Sequence, residues 1–116
     1  MCDSADSAVL VDGKTVALDA EGYLRKLADW SEPVAEALAR QQEITLKPAH
    51  WEILHLLRGF HRRHQMSPAS RAIVSLAKQK LGPEKGRSIH LMRLFGGSFA
   101  KTANRIAGLP KPDNCL

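Results

Sequence analysis

Cysteine is scarce in this chain: of 116 residues only Cys2 and Cys115 carry a thiol, and they stand at opposite ends. Two cysteines without framework spacing exclude a disulfide scaffold, and with no histidine at ligand spacing beside them they exclude a zinc site. A bond between the two is not expected. No run approaches the roughly 18 apolar residues of a membrane span, and the polar start Met1–Ser7 lacks the basic and apolar segments of a secretory signal. The expectation is a soluble, cytoplasmic protein in a reducing compartment, with no membrane partner. The five histidines, His50, His55, His61, His64 and His90, form no His-Glu-x-x-His set. Gly82, Gly86, Gly96 and Gly97 follow no strand, so no phosphate-cradling loop of Walker or dinucleotide type is present. Neither a cofactor nor a metal is expected, and no self-sufficient active site is legible.

Acidic residues are also unevenly lacking. Residues 1–45 hold four Lys/Arg against nine Asp/Glu, a net of −5, whereas residues 46–116 hold thirteen against three, a net of +10; together they give the formal +5. A basic half of this kind can attract a polyanion or an acidic protein surface. Its densest piece is Arg58-Gly59-Phe60-His61-Arg62-Arg63-His64. Those cations can simply complement the C-terminal end of a helix dipole, or they can meet nucleic acid, although the chain has no interleaved aromatic pattern of a stacking surface.

At 116 residues the chain is one small domain, long enough to bury about two-thirds of its unfolded surface without staples. Residues 1–7 are expected to be disordered. Asp12-Gly13 between two short β-prone runs predicts a hairpin over 8–18. A helical body over 19–108 follows. Asp19 can cap a short turn through Tyr23, Leu24 and Leu27, and Ser31-Glu32-Pro33 starts a helix that ends near Gln41 to Glu43. The next helix begins near Lys47-Pro48, runs to about His64 and, with its broad apolar face, is expected to be central. Ser67-Pro68 starts another that Gly82-Pro83 stops. Ser88 to Phe95 and a last helix from Phe99 to Ala107 complete a mainly α (α+β) bundle of packed helices with short loops. Gly82 to Gly86 forms a corner like a helix-turn-helix, which admits a DNA-binding reading, but its second helix offers only Arg87, Ser88, His90 and Arg93 as base readers.

Gly108 closes the last helix, and Pro110 and Pro112 then forbid helix and favour an extended, semi-rigid segment. Residues 109–116 are therefore expected to form a mobile C-terminal arm that carries Cys115 beside Asn114, away from the flanking apolar residues of a core cysteine.

These residues resemble the DsrC/TusE family of sulfur carriers. The likeness rests on Glu21-Gly22-Tyr23-Leu24, Trp30-Ser31-Glu32-Pro33-Val34-Ala35, His50-Trp51-Glu52, Ser67-Pro68-Ala69 with Arg71, Glu84-Lys85-Gly86, Leu94-Phe95 and Ala100-Lys101. Above all it rests on Ile106-Ala107-Gly108-Leu109-Pro110-Lys111-Pro112 followed by Cys115. The resemblance implies a helical fold with an N-terminal hairpin and a mobile arm, and a Cys115 that carries sulfur as a persulfide, as a sulfurtransferase-type carrier rather than a turnover enzyme. Persulfide relay needs a thiolate that attacks a donor's terminal sulfur and then presents its own to a second partner. The α-carboxylate of Leu116 and Asp113 oppose ionisation of this thiol, whereas Lys111 and the basic half favour it.

The family's two-cysteine branch, which works with dissimilatory sulfite reductase, has a second cysteine where this chain has Asn104. The chain therefore resembles the one-cysteine TusE type. That implies a TusBCD-like donor complex, a tRNA thiouridylase that makes wobble 2-thiouridine, and a possible tRNA contact through the basic half. A divergent DsrC-like paralogue in sulfur oxidation or sulfite reduction is the alternative, because Gly96-Gly97-Ser98-Phe99 and Ser88-Ile89-His90-Leu91 depart from the family pattern. Arg71, Lys101 and Lys111 are candidate contacts to the persulfide, the terminal carboxylate or a partner, with ordinary salt bridges as the alternative. Tyr23, Trp30 and Trp51 are expected in the core.

Overall fold

The computed structural model describes residues 7–112. Strands β1 (Ser7–Val11) and β2 (Lys14–Leu18) pair antiparallel with Val11 opposite Lys14 and Val9 opposite Val16. Asp12 and Gly13 both have positive φ, 50° and 80°, the backbone that a two-residue turn needs to match strand twist. Alternation turns Val9, Val11, Val16 and Leu18 toward the core and leaves Leu10 outside, and β1 packs on the first helix.

Residues 19–31 form no α-helix, so the α-helical body starts later than the expected residue 19. Asp19 Oδ1 accepts the backbone N–H groups of Glu21 and Tyr23 at 2.9 and 3.0 Å and so caps a short turn, as expected of it. A single 3-10 turn follows at Leu27–Asp29.

Five α-helices complete the body. In α1 (Glu32–Gln41), Ser31 Oγ accepts the Val34 N–H and Pro33 occupies the first turn. Helix α2 (Pro48–His64) ends at Gln65 in the left-handed conformation, with His61, Arg62, Arg63 and His64 in its last turn. Helix α3 (Ser70–Leu81), with Ala69 as its N-cap, begins later than Ser67-Pro68 suggested, because Ser67 and the Pro68 carbonyl are engaged with Pro110 and Asn104. Helices α4 (Ser88–Phe95) and α5 (Phe99–Ile106) follow the expected spans closely. Gly86 lets the α3–α4 connection lie on α3, since a Cβ there would stand 2.6 Å from the Lys78 backbone. Lys85 ties this corner to α2 through Glu52 at 2.9 Å. The outward face of α4 carries Ile89 and Met92, 50% and 38% exposed, among the exposed Ser88 and Arg93, with Arg87 exposed at its N-cap and His90 half-buried.

The central element is α5, not α2. It packs against α1, α2, α3 and α4, and Phe99, Ala100, Thr102, Ala103, Asn104 and Ile106 are all buried. Small side chains at Ala100, Ala103 and Ala107 admit close approach from every side, so a short helix fills the middle of the bundle. Among the described residues no helix is long and apolar enough to cross a membrane.

Candidate functional site at the root of the C-terminal tail

The end of α5 determines where the tail departs. Ala107 caps the helix and Gly108, at φ 75°, reverses the chain; the Gly108 N–H donates to Arg105 O at 3.1 Å and the Leu109 N–H to Asn104 O at 3.0 Å. Only glycine fits. A Cβ at Gly108 would overlap the Trp30 indole, 2.8 Å from Cγ, and Leu24 Cδ1 at 2.9 Å.

Two distant side chains satisfy the carbonyls that the helix end leaves open. Trp30 Nε1 donates to Ile106 O at 3.0 Å, and Arg58 Nη1 donates to Ala107 O at 2.7 Å. The Arg58 guanidinium also lies 4.0 Å from the Trp30 ring centroid, a stacked cation–π contact. Burial lowers the Arg58 pKa from its ordinary value, and neighbouring Arg62 adds to the effect. Arg58, read from sequence as part of a basic run, is thus a structural clamp on the tail root.

From Leu109 to Pro112 the chain is docked, contrary to the mobile arm expected over 109–116, whose remaining residues lie outside the described ones. Leu109 is 2% exposed, Ser67 Oγ donates to Pro110 O at 2.6 Å, Lys111 Nζ meets Glu21 Oε2 at 2.9 Å, and Pro112 is buried. Cys115 lies outside the described residues, as does Cys2.

The remaining candidates are scattered. Arg71 is exposed in the first turn of α3, beside a hollow of about 290 Å³ shared with Val74, Ser88 and Phe99. Lys101 is half-buried in the first turn of α5, and its carbonyl faces the Tyr23 hydroxyl at 3.5 Å. Among the described residues no hydrogen bond or ion pair joins Arg71, Lys101 and Lys111 to one another, and Lys111 is engaged by Glu21. Asn104 is fully buried; its Nδ2 donates to Pro68 O at 2.9 Å and Ala100 O at 2.8 Å, while Oδ1 has no partner. That clasp holds Pro68 outside α3 and accounts for the later helix start. Tyr23 is buried as expected, whereas Trp30 and Trp51 are only half-buried.

Sequence reasoning missed Arg58, Ser67 and Glu21 as tail contacts. Only Gly108 gave a local signal; the partners lie tens of residues away, beyond any periodicity. No three His, Cys, Asp or Glu side chains among the described residues converge to hold a metal. His50 is buried between Lys47 and Leu94, His55 stacks on Trp51 and His64 packs on Phe60.

A family model described as "DsrC like protein" matches residues 10–116. The chain is 48% identical over 105 residues to the sulfurtransferase TusE of Sodalis glossinidius, covering 90% of this chain and 97% of that one. It is 44% identical over 108 residues to the sulfurtransferase TusE of Escherichia coli K12, covering 93% and 99%. Among solved structures, DsrC of Allochromatium vinosum superposes with a TM-score of 0.87 at 43% identity, covering 96% of this chain and 99% of that one.

Proposed function

The chain belongs to the DsrC/TusE family, and on that footing we propose that Cys115 is the atom-carrying residue of its sulfur-transfer role. The Cys115 thiolate attacks the terminal sulfur of a donor persulfide; a new S–S bond forms at Cys115, the old one breaks, and the donor cysteine leaves as thiolate. In the second half the persulfide offers its terminal sulfur to an acceptor thiolate, and Cys115 departs as the leaving group. No net oxidation or reduction occurs, so no cofactor is required.

The observation that supports this reading most strongly is the docked root ending at Pro112. Three residues span at most roughly 10 Å, so the thiol is tethered within that distance of a fixed point. A donor and an acceptor that bind the same root surface can each reach the sulfur in turn. Arg71 and Lys101, unpaired among the described residues, are proposed to meet those partners, and Lys111 can do so on release from Glu21.

The one-cysteine reading is favoured by Asn104, an amide at the position of the second cysteine of the two-cysteine branch. Its hydrogen bonds to Pro68 and Ala100 give it a packing role and no sulfur chemistry. The donor is accordingly proposed to be a TusBCD-like complex and the acceptor a cytoplasmic tRNA thiouridylase. The DsrC-like alternative retains support from the 43% identity to the Allochromatium protein, close to the 44% to the Escherichia coli sulfurtransferase.

A reconstituted relay distinguishes them. With a cysteine desulfurase, cysteine, a TusBCD complex, thiouridylase and tRNA, the wild-type chain is expected to support 2-thiouridine formation and Cys115→Ser is not. Wild-type yields from Cys115→Ser would contradict the cysteine's role. A chain that loads sulfur yet yields no 2-thiouridine would favour the sulfite-reduction route.

A further inference from the structure

Helices α2 and α3 enclose a groove of about 490 Å³ lined by Phe60, Arg63, His64, Ser75, Gln79 and Lys80. Its surroundings are unusually one-signed. Helix α3 contains no acidic residue, and the only one in α2, Glu52, is held by Lys85. Arg62, Arg63, Lys78 and Lys80 are exposed, and among the described residues none of them is paired with a carboxylate. Unlike Arg58, they are spent on no structural contact of that kind.

We infer that this groove binds a single-stranded stretch of RNA. Like-signed, solvated cations without carboxylates attract a polyanion, and their spread over two helices suits a phosphate backbone better than a single anion. The Phe60 and His64 rings, with centroids 4.4 Å apart and planes tilted by 45°, put an aromatic pair on the groove, and the exposed His64 ring is the face on which a base can stack. An acidic polypeptide has no such face to offer. The Ser75 hydroxyl and Gln79 amide, one helical turn apart on α3, supply a donor and acceptors for ribose 2′-hydroxyls or base edges. Both rings and Arg63 thus come from the Arg58–His64 run on α2, and α3 brings Lys80 with Ser75 and Gln79 to the opposite side. The lining includes none of the side chains that hold the tail root, Glu21, Trp30, Arg58 and Ser67, so RNA binding here does not depend on the sulfur reading.

The test is fluorescence anisotropy of the full chain with a labelled 20-nucleotide RNA of mixed sequence, titrated over a range of salt. The Arg63→Glu/Lys80→Glu double variant is expected to weaken binding at least about tenfold at low salt and to flatten the log K against log salt slope by at least about 1.4, two single-strand phosphate contacts. Lys14→Glu, on the hairpin, and Cys115→Ser should both bind like wild type. Thermal melting verifies folding, and Arg63→Gln/Lys80→Gln serves if charge reversal unfolds the chain. RNA binding unmoved by the double variant, DNA of the same sequence bound as tightly, or poly-glutamate bound as tightly would each overturn the inference.

Discussion

Gly108 bears the most consequence for its size. Its φ of 75° is the left-handed region, and its missing Cβ is the space that the Trp30 indole fills. Gly108→Ala is expected to destabilise the fold by roughly 2–4 kcal/mol, from backbone strain plus overpacking, lowering Tm by roughly 8–16 °C. A thermal melt checks this; a change of under 2 °C would mean that Trp30 does not seat on this backbone. The glycine as a helix stop was legible in sequence, since a glycine followed by prolines is a local signal. Its contact with Trp30, 78 positions away, was not, and neither was the switch of Arg58 from a member of a basic run to a clamp on Ala107 O. Side-chain partners so distant depend on the whole fold, and no period encodes them.

Among the elements, α2 and α4 meet through one imidazole. His50 Nε2 lies 2.8 Å from Leu94 O and its Nδ1 accepts the Lys47 N–H at 3.0 Å, which assigns the neutral ring with its proton on Nε2. Burial lowers the His50 pKa below its ordinary 6.5, and Lys47 and His90 push the same way against the raising effect of the Leu94 carbonyl. Below 6.5 the unfolded chain takes up a proton that the folded ring refuses, so stability is intact above that pH and is lost as pH falls toward the lower folded value. Urea unfolding at about pH 7.5 and about pH 5 should therefore show a larger acid loss for wild type than for His50→Gln. Equal losses would show that His50 is not the source. Helix spans were legible because capping residues, prolines and glycines punctuate them, from Ser31-Glu32-Pro33 to Gly82. The hub was not: α5 looked minor by length, yet alanines are what permit four helices to approach it.

For the whole molecule, charge and tail divide the labour. The fold class and the hairpin were readable from Asp12-Gly13 and the helical periodicities, and the family from the Ile106 to Pro112 run. The docking of that run by Ser67, Glu21 and Trp30 required three dimensions. The result is a fixed root three residues before Cys115 in the chain, with the basic α2–α3 groove built from other side chains. The central claim is that sulfur rides on Cys115. Intact mass spectrometry after incubation with a cysteine desulfurase, cysteine and a TusBCD complex tests it most directly. Wild type and Cys2→Ser should each gain the mass of one sulfur atom, removable by a thiol reductant, and Cys115→Ser should gain none. Retention of the adduct in Cys115→Ser with its loss in Cys2→Ser would contradict the account.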